Sequence, residues 1–220
     1  MPSSTVLPRN SNGAPVSTRA LAKLDRCAVS IAQADVQGRE SLAWMLEAAG
    51  YKVVSGGSGE AILRVFDPRL VGCLVLDLQL PDMTGTELLA QLRRRGCRQP
   101  YLITADQCDA SVAVDLLQSG AIDLLVRPLR EQRLLESVAK ASRLHQHWKA
   151  VQTRLDKLSG REREILELVV AGLPTKQIAR RLSISPRTVD VHRSNIGKKL
   201  EVSSFAALVQ TITEHEMTRL

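Results

Sequence analysis

The sequence lacks the cysteine patterns of disulfide scaffolds and zinc sites. Its four cysteines are Cys27, Cys73, Cys97 and Cys108, with no C-x-x-C pair and no histidine at zinc-ligand spacing. No stretch has the length and apolar character of a secretory signal or a membrane span. We therefore expect a cytoplasmic protein with reduced thiols, no membrane partner and no bound structural metal.

The residue patterns of common enzyme active sites are missing as well. There are no paired catalytic acids, no Cys/His dyad and no glycine-rich phosphate loop. The Gly-Gly-Ser-Gly run at 56–59 is too short for a phosphate loop and precedes a small helix, so we interpret it as a turn. A metabolic enzyme is the least favoured class, and we predict that the chain is not an enzyme.

Charge divides the chain into parts of different character. Residues 1–26 contain four Lys/Arg and one acid, residues 27–130 contain ten and twelve, and residues 131–220 contain sixteen and ten. The net charges are therefore +3, −2 and +6. A mildly acidic middle beside a basic part indicates a regulatory domain joined to a polyanion binder. We predict a disordered tail at 1–25, an α/β domain at 26–130, a linker helix at 131–157 and a helical domain at 158–220.

Apolar strands alternate with helices through the middle of the chain. The predicted strands lie at 28–32, 51–55, 72–76, 100–104 and 122–126. The predicted helices between them lie at 38–49, 59–66, 84–95 and 110–119. This rhythm predicts an α/β doubly wound, five-stranded parallel sheet. The loops after strands 1, 3, 4 and 5 would then converge at one crevice.

The central strand of this pattern ends at Asp77, and a Pro-Asp-Met-Thr-Gly turn follows at 81–85. The strand is apolar on both faces, which is typical of parallel sheets, whose carboxyl ends open into the functional crevice. Asp77 is therefore the first candidate for handling a ligand or a phosphoryl group. The alternative is an Asp that only caps the strand end at the start of a loop.

Residues 129–158 contain neither Gly nor Pro, which favours one long helix. Apolar residues recur along it at heptad spacing, with one Ala and one Ser among them. We predict that two copies of the chain dimerise through this helix, by the residues Leu134, Leu144, Trp148, Val151 and Leu155. The alternative is an amphipathic last helix of the α/β domain, followed by a solvated linker.

Four short helices are predicted after residue 158. Ser159 and Glu162 have the spacing of a capping box at the start of the first helix. Thr175 is the predicted cap of the second helix, and Ser185 of the third, which begins with a proline. The fourth helix is predicted at 203–215.

The second and third of these helices are joined by a tight turn and form a helix-turn-helix. The helix at 186–200 would lie in the major groove of double-stranded DNA. The basic residues Arg187, Arg193, Lys198 and Lys199 suit phosphates, whereas Val191 and Ser194 could touch base edges. Asp190 is unusual in a groove, because an acid repels phosphate. We predict DNA contacts from Thr175, Lys176, Arg187, Thr188, Val191, Arg193, Ser194 and Lys198.

Residues 158–209, with Leu-Ser-Gly-Arg-Glu-Arg-Glu-Ile-Leu at 158–166 and Thr-Val-Asp-Val-His-Arg-Ser-Asn-Ile-Gly-Lys-Lys-Leu at 188–200, resemble a LuxR-type DNA-binding domain. Residues 27–130 resemble a response-regulator receiver, which has a flavodoxin-like fold. Together they resemble a NarL/FixJ-type regulator of the FixJ branch, where an acid at position 190 is usual. The resemblance implies that a histidine kinase phosphorylates Asp77 with the help of Mg²⁺, which that Asp and an acidic pair bind.

The acidic pair itself is missing from its expected place. Aligned without gaps, the pair falls on Gln33 and Ala34, and Asp35 comes one position late. Neither Gln33 nor Ala34 offers the carboxylate that a hard cation prefers. We therefore expect no cofactor, with Mg²⁺ binding weak at most. A one-residue slip of the first strand is the alternative, because it would bring Asp35 into the pair.

The surroundings of Asp77 also depart from the receiver pattern. Thr104 matches the usual hydroxyl, but Arg127 replaces the usual Lys and Leu124 the usual strand-5 aromatic. An Arg can pair with Asp77 in a bidentate way and satisfy the pocket without metal. We predict a dimeric, DNA-binding transcriptional regulator whose Asp77 is phosphorylated poorly or not at all, with the role of a histidine kinase left open. The alternatives are a conventional regulator that uses Asp77 and Asp35, and a receiver-fold interaction module in which DNA binding is secondary.

Overall fold

The structure of the chain, a computed structural model, describes residues 27–201. The predicted tail at 1–25 and the predicted helix at 203–215 lie outside these described residues. The described residues form two units, which divide between Gln146 and His147. Within the described range, no helix has the length and apolar character needed to span a membrane.

The first unit is built on a parallel sheet of five strands, which confirms the predicted fold class. The strands are β1 (Ala28–Ala32), β2 (Lys52–Gly56), β3 (Gly72–Asp77), β4 (Tyr101–Ala105) and β5 (Asp123–Val126). Three of them begin one residue later than predicted. Their order is β2-β1-β3-β4-β5, so the carboxyl ends of neighbouring strands meet at one edge and a crevice opens beside the middle strand.

Helices follow the strands and cover both faces of this sheet. They are α1 (Val36–Ala48), α2 (Gly59–Val65), α3 (Gly85–Arg94), α4 (Ala110–Gln118) and α5 (Glu131–Leu155). Short polar residues begin several of them, because their side chains accept from backbone N–H groups that have no partner inside the helix. Ser58 caps α2, and Thr84 forms a capping box with Glu87 at the start of α3.

Two apolar layers, one on each face of the sheet, form the core of the first unit. Both β1 and β3 are buried along their whole length, which explains their unbroken apolar sequences. Leu42 of α1 and Leu134 of α5 belong to one layer, and Leu88 of α3 to the other. The four cysteines are free thiols. Burial raises the pKa of Cys73 to about 12, as expected for an unreactive core thiol.

The first part of α5 belongs to this core. Leu134 is fully buried in it, and the Ser137 hydroxyl donates to the Asp123 carboxylate at the start of β5. Further along the helix, His145 Nδ1 lies 3.0 Å from the backbone nitrogen of Gly72. The assignment of Leu134 to a dimer surface is therefore wrong. At this end of the helix, the heptad spacing reflects packing against the sheet.

The last part of α5 belongs to the second unit. Val151 is buried, and Leu155 packs against the apolar cluster of that unit. Leu144 of the first unit and Trp148 of the second are half-buried. Dimerisation through α5 remains a prediction, but the packing of Val151 and Leu155 inside their own chain does not favour it.

The second unit continues with α6 (Gly160–Val170), α7 (Thr175–Leu182) and α8 (Pro186–Leu200). Ser159 and Glu162 form the predicted capping box at the start of α6. Ile165 and Ile196 are fully buried and join α6 to α8 in one apolar cluster. The prediction of Thr175 as the cap of α7 is wrong, because Pro174 holds the cap position.

From the ion pair between Glu162 and Lys199, we predict that the second unit is less stable at acid pH. The hydrogen bond that Lys199 Nζ donates at 2.6 Å is the main cause that lowers the pKa of Glu162 below its ordinary 4.5. Because this pKa is lower in the folded state, the pair adds stability above pH 4.5, and that stability is lost as the pH falls through the folded-state value. We expect Glu162→Gln to unfold at a lower temperature than the wild type at pH 7.

Thermal unfolding of both proteins between pH 7 and pH 3 measures this effect. The difference in unfolding temperature should shrink as the pH falls, because protonation removes the same charge from the wild type. The replacement keeps the capping spacing, since Gln serves at that position as Glu does. A constant difference over the whole range would contradict the prediction.

Candidate functional sites in the two units

Asp77 lies at the carboxyl end of β3, where the sheet opens into the crevice. It stands opposite Thr104 in the register between β3 and β4. The Asp77 side chain is 11% exposed, and Thr104 is buried. A glycine is needed at the start of α3, because a Cβ on Gly85 would lie 2.3 Å from the Asp77 carbonyl oxygen. The register of β3 and β4 brings Asp77 and Thr104 together at the floor of the crevice.

Arg127 follows β5 and reaches into this crevice. Its Nη2 donates to Asp77 Oδ2 at 2.6 Å and to Thr104 Oγ1 at 3.3 Å. Its Nη1 donates to Asp106 Oδ1 at 2.8 Å. Burial lowers the pKa of Arg127, but the hydrogen bonds to Asp77 and Asp106 outweigh burial and raise that pKa above its ordinary value. The guanidinium is therefore shared between two carboxylates, in place of the predicted bidentate pair with Asp77.

The end of β1 supplies no carboxylate to the crevice. Gln33 is 1% exposed, and its Oε1 has no hydrogen-bond partner. Asp35 caps α1, where its Oδ2 accepts from the Gly38 N–H at 2.7 Å. Arg39 Nη1 donates to the carbonyl oxygens of Gln33 at 2.7 Å and Ala34 at 3.1 Å. Asp35 is thus engaged at a helix end, and a second guanidinium fixes the loop where the acidic pair was expected.

The crevice residues do not fit a magnesium ion held by carboxylates. Mg²⁺ requires near-octahedral oxygen coordination, usually with one or two carboxylates. Asp77 already accepts from Arg127 at 2.6 Å, and the Asp35 carboxylate caps α1. Between residues 27 and 201, no group of three or more His, Cys, Asp and Glu side chains could hold a metal ion.

Several residues that shape the crevice were not predicted from the sequence. Besides Arg39 and Asp106, they include Asp82 in the turn after β3. Its carboxylate accepts from the backbone N–H groups of Glu60 and Gly59, each at 2.9 Å. These bonds hold the pKa of Asp82 below its ordinary value and tie the turn to the start of α2. For Asp106 a signal existed, since an acid two positions after Thr104 lies within reach of a long cation on the next strand.

In the second unit, α8 presents an exposed stripe with the composition of a DNA-reading surface. Its members recur at helical spacing along one side of the helix, and all are exposed. They are Arg187, Val191, Ser194 and Lys198. Ser185 caps the helix by accepting from the Thr188 N–H, and Pro186 occupies its first position. Lys176 near the start of α7 is exposed as well.

Other predicted DNA contacts are also used within the unit. Arg193 Nη1 donates to Thr175 Oγ1 at 3.0 Å, which joins α8 to the start of α7. The Thr188 hydroxyl lies 2.8 Å from that of Ser185. Arg193 and Thr175 therefore join the two helices and Thr188 helps to close the start of α8, whereas the exposed stripe remains open to solvent.

Comparison with known proteins agrees with both units. Residues 29–139 match the response regulator receiver domain family. Residues 156–212 match the bacterial regulatory proteins of the luxR family. A receiver domain followed by a LuxR-type helix-turn-helix defines a DNA-binding response regulator of two-component systems, and this class of proteins is not enzymatic.

The similarity extends over most of the chain. The transcriptional regulatory protein FixJ of Rhizobium meliloti (strain 1021) is 38% identical over 182 residues, which are 78% of this chain and 88% of that protein. The response regulator protein TodT of Pseudomonas putida is 33% identical over 182 residues, 80% of each chain. The solved structure of the response regulator StyR has a TM-score of 0.53 at 33% identity and covers 86% of this chain and 99% of its own. The chain belongs to the NarL/FixJ-type response regulators, and it is a transcriptional regulator with a DNA-binding second unit.

Proposed function

We propose that this regulator binds DNA as a homodimer without needing phosphorylation of Asp77. The observation that supports the proposal is the hydrogen bond from Arg127 to Asp77 Oδ2 at 2.6 Å, on a side chain that is 11% exposed. A carboxylate attacks a phosphoryl donor only when the repulsion between two anions is neutralised, which Mg²⁺ does in this chemistry. Here a guanidinium already neutralises the carboxylate and engages one of its two oxygens, in the place where a metal ion would bind. A histidine kinase would therefore phosphorylate Asp77 weakly or not at all.

The homodimer would form through an apolar surface of the first unit. We call it the α4–β5 surface, because it consists of exposed residues of α4 and β5. These are Val114, Leu117 and Val126, which are 50%, 48% and 47% exposed. Val114 and Leu117 share one side of the helix at i, i+3 spacing, and exposed apolar side chains on a helix and the edge strand beside it are of the kind that marks an interaction site. A second copy is the partner that a helix-turn-helix needs to read two half-sites.

The DNA site would contain two half-sites, arranged with two-fold symmetry or as a direct repeat. Phosphates would be contacted by Lys176, Arg187 and Lys198, and base edges by Val191 and Ser194. The Lys/Arg contacts make the affinity dependent on salt, because each one releases a counterion from the duplex. Such a regulator works in the cytoplasm, where the DNA is.

A gel-shift experiment on the full chain tests the need for phosphorylation. A duplex selected from a random-sequence pool with protein treated with acetyl phosphate and Mg²⁺ serves as the probe. Protein incubated with acetyl phosphate and Mg²⁺ should bind it with the same affinity as untreated protein, and its intact mass should show no added phosphoryl group. Asp77→Asn is the control, and it should bind like the wild type.

The opposite result would restore the conventional regulator. In that case the protein would bind DNA only after treatment. The treated wild type would also gain the mass of a phosphoryl group, and treated Asp77→Asn would not. The position of Asp35 does not favour that alternative, since its carboxylate caps α1.

A further inference from the structure

We infer that Arg127 and Asp106 form a latch that fixes the loop before α4 and keeps the α4–β5 surface assembled. The inference rests on the proposed function in one respect, namely that two copies meet at this surface. It goes further by assigning a working role to Asp106 and by naming the contact that orders the surface.

The latch joins four parts of the first unit through one side chain. Arg127 leaves the end of β5 and contacts Asp77 of β3 at 2.6 Å and Thr104 of β4 at 3.3 Å. It also contacts Asp106, the first residue of the loop after β4, at 2.8 Å. The Arg127 side chain is 21% exposed, so these charge-assisted bonds are partly shielded from water.

The loop between β4 and α4 has few other side-chain ties. In the described part of the chain, the Cys108 thiol bonds the Asp109 carbonyl at 3.6 Å, which is a contact inside the loop itself. Asp109 precedes α4 but makes no side-chain capping bond. The contact between Asp106 and Arg127 is therefore the side-chain tie that fixes this loop to the sheet.

The Arg127 side chain also separates two carboxylates that would otherwise repel each other. The two terminal nitrogens of one guanidinium hold Asp77 and Asp106. Removing the guanidinium leaves two carboxylates close together with no cation between them, and like charges in this arrangement repel. Asp106 is the less confined of the two, because it lies in a loop and its side chain is 84% exposed. Loss of Arg127 should therefore displace the loop and loosen the start of α4.

A fixed α4 favours association of two copies. Val114 and Leu117 lie on α4, whereas Val126 lies on β5, so the α4–β5 surface is continuous only while α4 keeps its place beside β5. A surface that is already ordered loses less conformational entropy on association, and its affinity is higher for that reason. The latch thus acts as a built-in activator that needs neither metal nor phosphoryl donor.

Hydrogen exchange and sedimentation of the full chain test the latch. In Arg127→Ala and Asp106→Ala, we expect amide exchange at residues 106–118 to rise about tenfold or more, as loss of one charge-assisted hydrogen bond implies. Self-association should weaken by a similar factor of about ten. The matched controls are Arg130→Ala and Asp109→Asn, since both residues are charged, near the latch in sequence and outside it. Both controls should behave like the wild type.

The outcomes separate failure of the latch from failure of the proposed function. If exchange at 106–118 does not change in either latch variant, the latch does not exist, whatever the DNA binding of the wild type. If the variants associate more tightly, Arg127 acts as a restraint and the inference is overturned. Because Asp106 is exposed, Asp106→Ala tests the latch even if Arg127→Ala fails to fold. A wild type that needs phosphorylation to bind DNA would refute the proposed function and leave the exchange result standing.

Discussion

The triple variant Gln33→Glu, Ala34→Asp and Arg127→Lys is expected to take up a phosphoryl group on Asp77 from acetyl phosphate in the presence of Mg²⁺. The wild type is expected to take up none. The first two changes add carboxylates at the end of β1, where Gln33 now has an unpartnered buried oxygen. The third removes the fork that holds Asp77 Oδ2 at 2.6 Å. These three changes supply what the metal chemistry requires, namely oxygen ligands and an accessible nucleophile.

The expected effect is large because two ligands are added at once. A charge-assisted contact contributes roughly 1.5–3 kcal/mol, so two of them, at about 3–6 kcal/mol together, should raise Mg²⁺ affinity by at least about 100-fold. Intact-mass measurement after incubation with acetyl phosphate, with and without Mg²⁺, gives the readout. Adding Asp77→Asn to the triple variant should abolish the mass shift. Arg127→Lys alone should stay unmodified, because the acidic ligands are still missing.

Arg39 is the remaining obstacle in this experiment. Its guanidinium binds the carbonyls of Gln33 and Ala34, and it would attract the new carboxylates away from the metal. If the folded triple variant takes up no phosphoryl group, the same experiment should be repeated with Arg39→Ala added. Failure of that fourfold variant as well would show that the replaced residues are not the cause of the loss.

The fold, and the meeting of Asp77 with Arg127, could be predicted from the sequence for a simple geometric reason. Parallel strands bring their carboxyl ends to one edge, so residues that follow β3 and β5 lie near each other once the strands are recognised. The lengths of the apolar runs were sufficient to place every strand of the sheet within one residue. The reach of the Arg side chain followed from its chemistry.

Side chains with two possible partners could not be assigned in this way. Asp35 suits a metal ligand and a helix cap equally well, and the position of α1 decides for the cap. Leu134 fits a heptad seam and a domain core equally well, because both need an apolar stripe on one side of a helix. Asp106 follows Thr104 closely enough to lie within reach of Arg127, but it is in an irregular loop, where no period shows which partner its side chain takes. In each case tertiary packing decides the contact, and the local sequence pattern does not determine that packing.

We expect the double variant Arg187→Ala, Lys198→Ala to lose DNA binding. This is the second of the two largest effects, and it follows from the exposed stripe of α8. Both side chains are exposed on the helix assigned to the major groove. Each phosphate contact contributes about 0.9 to the slope of log affinity against log salt, so the double variant should lose roughly 1.8 of that slope at each half-site and about 3.6 for the dimer. Titration of the selected duplex at several salt concentrations measures both the affinity and the slope.

Two single variants, Lys157→Ala and Val191→Ala, are the controls for this experiment. Lys157 is exposed and precedes α6, so its removal changes the net charge without touching the stripe and should leave the slope unchanged. Val191, which is 53% exposed, carries no charge; its replacement should alter sequence preference while keeping the salt slope. Arg193 is a poorer choice for this test, because it also holds Thr175 at 3.0 Å and its loss would disturb the helices themselves. If the double variant keeps its regulatory activity while DNA binding is lost, the chain acts as an interaction module, and the helix-turn-helix is secondary to its role.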